Sequence, residues 1–405
     1  MGKFSFKQLG PGLLFAGAAI GVSHLVQSTR AGADFGFGLI WALLLIHLIK
    51  YPFFQFGPRY AAITGKSLLD GYRRLGKGML IAYFLLSLAS MFTIQTAVTI
   101  VTAGLASYIF NINLELVTWS VIIMLACALL LFIGRYQLLD RVMKLIIITL
   151  TISTIVALAF AFFDAQKTIN LTQILPEDGI GIAFLIAFMG WMPAPLDISI
   201  WHSLWSLEKA KEGKITPKTV VFDFNVGYAG TVIVGLCFIG LGALVMHHSG
   251  LSFSNSGGAF AKQLIEMYTS SLGNWALWII GIAALTTMLS TTLTTLDASP
   301  RSMAKTVDLV TGKTFRYGYI FWLFILILGT GGILFFLTSE MGTLIQIATV
   351  LSFLTAPFYA IANYLVITGS EIPDDSRPNL PMHILSLIGI LGLVGFSIWY
   401  LTTLL

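Results

Sequence analysis

Met189-Gly190-Trp191-Met192-Pro193-Ala194-Pro195-Leu196-Asp197 is the stretch on which the fold turns. It sits inside an apolar run, 179–207, long enough to cross a bilayer as helix. Yet Pro193 and Pro195 lack the N–H that a helix interior needs, and their rings clash with the preceding turn. A second interruption stands near the start of the chain, in Ala18-Ala19-Ile20-Gly21-Val22-Ser23-His24, where Gly21, Val22 and Ser23 make a poor helical stretch. In hydrocarbon, freed carbonyls are tolerated only where they line a cavity enclosed by protein. Interrupted spans at matching positions of two halves point to an inverted-repeat membrane protein with its site at the bilayer midplane. Two packing kinks are the plainer alternative.

The rest of the chain agrees with a bilayer as solvent. Hydrophobic residues make up 57% and charged residues 10%, far from the balance of soluble domains. Apolar runs of about 20 residues, the length that spans the hydrocarbon core, recur near 10–33, 38–58, 79–105, 115–134, 142–164, 179–207, 221–247, 272–296, 317–338, 341–368 and 382–404. They predict an all-α, polytopic fold of about 11 transmembrane helices in a single domain, 1–405. Its expected parts are a five-helix half over 10–164, a second over 179–368 and an extra helix over 382–404. Basic residues alternate by loop. Lys3 and Lys7, the group from Arg59 to Lys77, Arg135 to Lys144, Lys209 to Lys218 and Arg301 to Arg316 share one side, against Arg30, Lys167 and Lys262 on the other. The positive-inside rule then puts the N-terminus in the cytoplasm and the C-terminus outside. The first apolar segment, behind Lys3 and Lys7, is expected to be a retained anchor.

Ionisable groups at membrane depth are costly enough to be functional candidates. Asp197, just past the sixth-span interruption, is either a cation ligand or the N-cap of the restarted helix. His24 is a metal ligand, a proton relay or a hydrogen-bond donor to a freed carbonyl. His47 and Lys50, on one helical face, read as a relay, an anion contact or interhelical packing. Met192, His24 and Asp197 together would supply the mixed S, N and O set that suits softer divalent metals. Gly21, Ala194 and backbone carbonyls alone suit a larger hydrated or neutral substrate, and Trp191 stands beside them. Thr287, Ser290 and Thr291 of the eighth span are a candidate coupling-ion site, or ordinary packing hydroxyls. Cys127 and Cys237 read as small buried residues. No phosphate loop, metalloprotease motif or nucleophile elbow is present, so neither an ATP-driven pump nor an enzyme is expected, and no cofactor. The expected partners are the lipid bilayer and a small inorganic cation or small solute, with no nucleic acid and no obligate protein.

Several short motifs recur along the chain in a telling order and spacing: Gly10-Pro11-Gly12, Ala31-Gly32-Ala33 with Phe35-Gly36, Trp41 through Arg59 to Thr64-Gly65-Lys66, His202-Ser203, and Leu272-Gly273 before the hydroxyl-rich eighth span. Together they resemble the Nramp family of divalent-metal transporters, which has the LeuT-like inverted-repeat fold. The resemblance implies a secondary transporter working by alternating access on a divalent metal cation with proton coupling, and the eighth-span hydroxyls make a sodium ion the other candidate coupling ion. The family's Asp-Pro-Gly-Asn motif falls on Gly21-Val22-Ser23-His24, so its acid is absent here and His24 stands for its Asn. Its sixth-span Met-Pro pair matches either Met192-Pro193 or Ala194-Pro195. The third span, Thr93-Ile94-Gln95-Thr96-Ala97-Val98-Thr99, carries no carboxylate where the family has acidic residues. A same-fold transporter of another small solute is the alternative.

Overall fold

The structure, a computed structural model, describes residues 10–164, 169–213, 215–247, 259, 262–266, 269, 273, 276–337 and 341–403. Among these residues the chain is helical, without a strand. In chain order the helices are α1 (Pro11–Ala19), a π-helical stretch (Ser23–Ser28), α2 (Thr29–Phe35), α3 (Ile40–Thr64), α4 (Leu68–Leu75), α5 (Lys77–Phe110) and α6 (Leu116–Asp164). There follow α7 (Gly179–Trp191), α8 (Ile198–Ala210), α9 (Pro217–Leu241) running into a π-helical Gly242–Met246, α10 (Ala276–Thr311), α11 (Gly318–Leu337), α12 (Met341–Thr368) and α13 (Leu380–Thr403).

Seven described helices are long and apolar enough to cross a membrane, and the pair Pro11–Ala19 and Ser23–Phe35 is so only when taken together, with a bend of 47° at the break between them. Large apolar side chains such as Phe163, Phe336 and Leu391 point outward. His24, His47, Lys50, Gln95, Asp197 and His202 are buried. That inversion of the soluble pattern, apolar outside and polar inside, is what a lipid surround dictates. The protein is multi-pass and membrane-embedded.

Two expected boundaries move. The stretch from Arg135 to Lys144, read from sequence as a loop, lies within the 49-residue α6. Between those two residues it holds neither Gly nor Pro, so nothing in its propensity breaks a helix. The eighth span, expected to stop at 296, continues to Thr311. The pair Asp297 and Arg301, one turn apart with Nη2 to Oδ1 at 2.7 Å, supports the extension.

The packing brings distant segments together. α1 lies on α9, and α3 lies on both α8 and α9. α10 lies on α5, α6 and α11, and α12 on α5 and α7. At the α1 and α9 crossing, a Cβ on Gly12 would strike the backbone of Asp223, and one on Gly227 the backbone of Gly12. Only glycine permits that approach. The Asp223 carboxylate then accepts from the amides of Gly10 (3.0 Å) and Gly12 (2.7 Å), which α1 itself cannot satisfy.

Candidate functional site

The site is built from the two places where helix gives out. α1 ends at Ala19, and Ile20 and Gly21 leave the helical path before the chain coils again. Gly21 is pressed against α10, where an added Cβ would come to 2.5 Å from Thr291 Oγ1. Hydroxyls of α10 turn to the freed carbonyls of this end. Ser290 Oγ donates to Gly17 O at 3.3 Å, and Thr291 Oγ1 lies 3.2 Å from Gly17 O and 3.4 Å from Ile20 O. α7 ends at Trp191, and six residues pass before α8 begins at Ile198.

The two ends face each other. Ser23 Oγ lies 3.3 Å from the Pro193 carbonyl, and Ser28 Oγ lies 3.8 Å from Met192 Sδ. Between them is a cavity of about 30 Å³ whose lining includes Ala19, Ser23, Trp191, Trp201, Thr291 and Thr295. Its lining contains no carboxylate.

Each expected site residue has a definite place. His24 is buried, with Nε2 3.0 Å from Thr231 O on α9 and Nδ1 2.8 Å from Ser23 Oγ and 3.1 Å from Ala19 O. Carbonyls thus stand at both ring nitrogens, Thr231 O at Nε2 and Ala19 O at Nδ1, and the Ser23 hydroxyl that shares Nδ1 itself donates to Ala19 O at 2.6 Å, so both nitrogens are engaged within the protein. Neither nitrogen then offers a lone pair to a metal in this conformation. Trp191 Nε1 donates to Ser352 Oγ at 3.0 Å, which fixes the indole at the cavity wall. Asp197 is buried at the head of α8 but caps nothing, and its Oδ1 has no hydrogen-bond partner. The reason is local. The amides of Ile198 and Ser199 are already taken by the carbonyls of Pro195 and Leu196, and Asp197 itself has helical φ and ψ. No hydrogen bond or ion pair joins His24, Met192 and Asp197 to one another. Among the described residues no three His, Cys, Asp or Glu side chains gather as a metal site.

Lys50 is the residue whose place was least expected. Its fully buried ammonium donates to the carbonyls of Met189 (3.0 Å), Gly190 (2.7 Å), Met192 (2.9 Å) and Ala194 (3.3 Å). It thus sits on the open C-terminal end of α7, and its charge interacts with that of Asp197. The sequence offered a signal: a lysine in mid-span, too deep to reach the interface, needs acceptors, and the proline-freed carbonyls are the richest supply. Nothing in the local sequence marks Asp223, Tyr72 or Asn363 as belonging to the site region. Asn363 joins Phe53 O, Ser199 Oγ and Tyr72 Oη into one buried network holding α3, α4, α8 and α12.

The profile of the Nramp family, described as natural resistance-associated macrophage protein-like, matches residues 12–403. The chain belongs to the Nramp family. A Pasteurella multocida protein described as uncharacterized is 35% identical over 403 residues, covering 98% of this chain and 92% of its own. The divalent metal cation transporter MntH of Staphylococcus aureus is 24% identical over 254 residues, 60% of this chain and 56% of that relative. Among solved structures, the manganese transporter of Eremococcus coleocola superposes with a TM-score of 0.68 at 12% identity, covering 97% of this chain and 93% of that one. Mhp1, a nucleobase-cation-symport-1 family transporter, superposes at 0.63 with 16% identity, covering 98% and 93%. At these identities the two structures speak for the fold alone.

Proposed function

We propose that this Nramp-family chain is a secondary transporter that moves a divalent metal cation by alternating access, through a site altered from the family pattern. The observation that carries the reading is the cavity of about 30 Å³ between the two facing helix ends. Its wall sets the hydroxyls of Ser23, Thr291 and Thr295 among apolar side chains at the place where both spans lose their helical hydrogen bonds, the setting in which a desolvated ion can be held. Met192, His24 and Asp197 are the proposed metal residues, with Gly21, Trp191 and Ala194 lining the path. His24 and Met192 would have to turn from Thr231 and Ser28 toward the substrate, a rearrangement that belongs to the transport cycle. Ser290 and Thr291, beside the carbonyls of Gly17 and Ile20, with Thr287 one turn earlier on α10, are the proposed site for a coupling sodium ion, a proton being the other candidate. The proposed frame is two inverted five-span halves plus one extra span, eleven crossings in all, with the fourth and fifth drawn from α6 on either side of its basic stretch.

A second reading, transport of a different small solute, is favoured by the absence of any carboxylate from the cavity lining. Uptake into proteoliposomes separates the two. Manganese accumulation that saturates, is competed by other divalent metals and is not matched by magnesium is expected. No metal accumulation in protein that binds an uncharged solute would overturn the metal reading.

A further inference from the structure

The carbonyls of Met189, Gly190, Met192 and Ala194 converge on one point, and the Lys50 ammonium is at that point. Such a cluster is what a dehydrated cation requires. Carbonyl oxygens replace its water, and the partial negative charge at a helix C-terminus adds attraction. With the ammonium in place the oxygens stand 2.7–3.3 Å from its nitrogen. Magnesium needs oxygens at about 2.0–2.1 Å and calcium at about 2.3–2.6 Å, so the cradle is too wide for either. It has the dimensions of an ammonium group, and of free monovalent ions of similar size. Pro193 and Pro195 supply no N–H to compete for these oxygens.

We propose that Lys50 is a tethered monovalent cation: its ammonium permanently fills a carbonyl site at the end of α7 that would otherwise take a free monovalent ion. Lysine suits the task because its charge is compact and its three donors rotate, so four oxygens can share them. The charge of Asp197 favours the ammonium from a distance, and no ion pair closes between the two. Two consequences follow. The α7 carbonyls are withheld from a transported cation, which must find its ligands on the α1 side and at side chains. The break in α7 also stays open without any bound ion, because the lysine satisfies what the prolines freed.

The bearing on selectivity rests on the transport reading above, but the assignment of Lys50 does not, and its test reads stability rather than uptake. Melting of the purified protein in detergent is followed in choline, sodium, potassium, ammonium and methylammonium chloride at one ionic strength. Wild type is expected to melt at one temperature in all of them. Lys50→Ala is expected to melt lower in choline and to recover several degrees in ammonium, methylammonium or potassium as the free ion enters the cradle. A folded Lys50→Ala protein indifferent to the cation, or a wild type with the same cation dependence, would overturn the proposal. If Lys50→Ala yields no folded protein in any salt, Lys50→Gln decides, since it keeps a neutral N–H donor near the carbonyls. Lys50→Gln as stable as wild type, or destabilised equally in every salt, overturns it; recovery by a monovalent cation supports it. Absence of manganese uptake by the wild-type protein, with these melting results unchanged, would strike only the metal reading.

Discussion

At the residue scale the site is tight where the chain is weakest. Gly21 leaves no room for a side chain between the end of α1 and Thr291. Gly21→Ala should therefore displace Thr291 and disturb the hydroxyls that cover Gly17 O and Ile20 O, costing about 1–3 kcal/mol as overpacking. Gly21→Ala combined with Thr291→Ala should regain much of the loss, read as melting temperature in detergent; equal loss in single and double variants would remove the steric account. A second cycle concerns charge. Lys50 and Asp197 interact without touching, so Asp197→Asn and Lys50→Met should each destabilise while the double variant loses less than their sum, a coupling of about 0.5–3 kcal/mol. Strict additivity would mean that the two charges ignore each other. Asp197→Ala and Asp197→Asn should cost alike, because no capping bond exists to distinguish them. The sequence made Gly21, Asp197 and Lys50 visible as misfits in apolar spans. It left their partners hidden, since Thr291 lies 270 positions from Gly21 in the numbering, and nothing local in Asp197 reveals that the amides ahead of it are already bonded.

At the scale of elements, the spans were legible because apolar length is a direct consequence of bilayer thickness. Their ends were less so. The basic stretch of α6 carries the composition of a loop and the propensity of a helix, and the second of these prevailed. The N-terminus of α1 is held from outside, by Asp223 on a helix more than 200 residues away. Asp223→Ala should leave the Gly10 and Gly12 amides buried and unbonded. A charge-assisted hydrogen bond is worth about 1.5–3 kcal/mol, so the variant should lose stability of that order, read as a lower melting temperature, and proteolysis near residue 10 should accelerate. Asp223→Asn keeps one acceptor of the two and should fall between. An Asp223→Ala protein with wild-type stability and wild-type cleavage would show that α1 is anchored by packing alone.

At the scale of the whole molecule, the packed groups cut across the two halves read from sequence. α1 and α3 come from the first half, yet they pack on α8 and α9 of the second, while α5 and α6 pack on α10. The charge pattern of the loops gives the orientation to test. Glu212 and Asn170 are both exposed, and the basic-loop asymmetry puts the first in the cytoplasm and the second outside. In intact cells an impermeant thiol reagent should label Asn170→Cys and spare Glu212→Cys; the reverse would invert the topology, and the native Cys127 and Cys237 are buried. The placing of Lys50 also has a meaning in time. Its four acceptors lie 139 to 144 residues further along the chain, and ribosomes add about 5–20 residues per second. For roughly 7 to 30 seconds, then, α3 carries a charge whose cradle has not yet been made. A charged residue at mid-helix resists entry into lipid by about 2.5–3.5 kcal/mol, so α3 is expected to wait beside the insertion machinery until α7 emerges to receive its lysine.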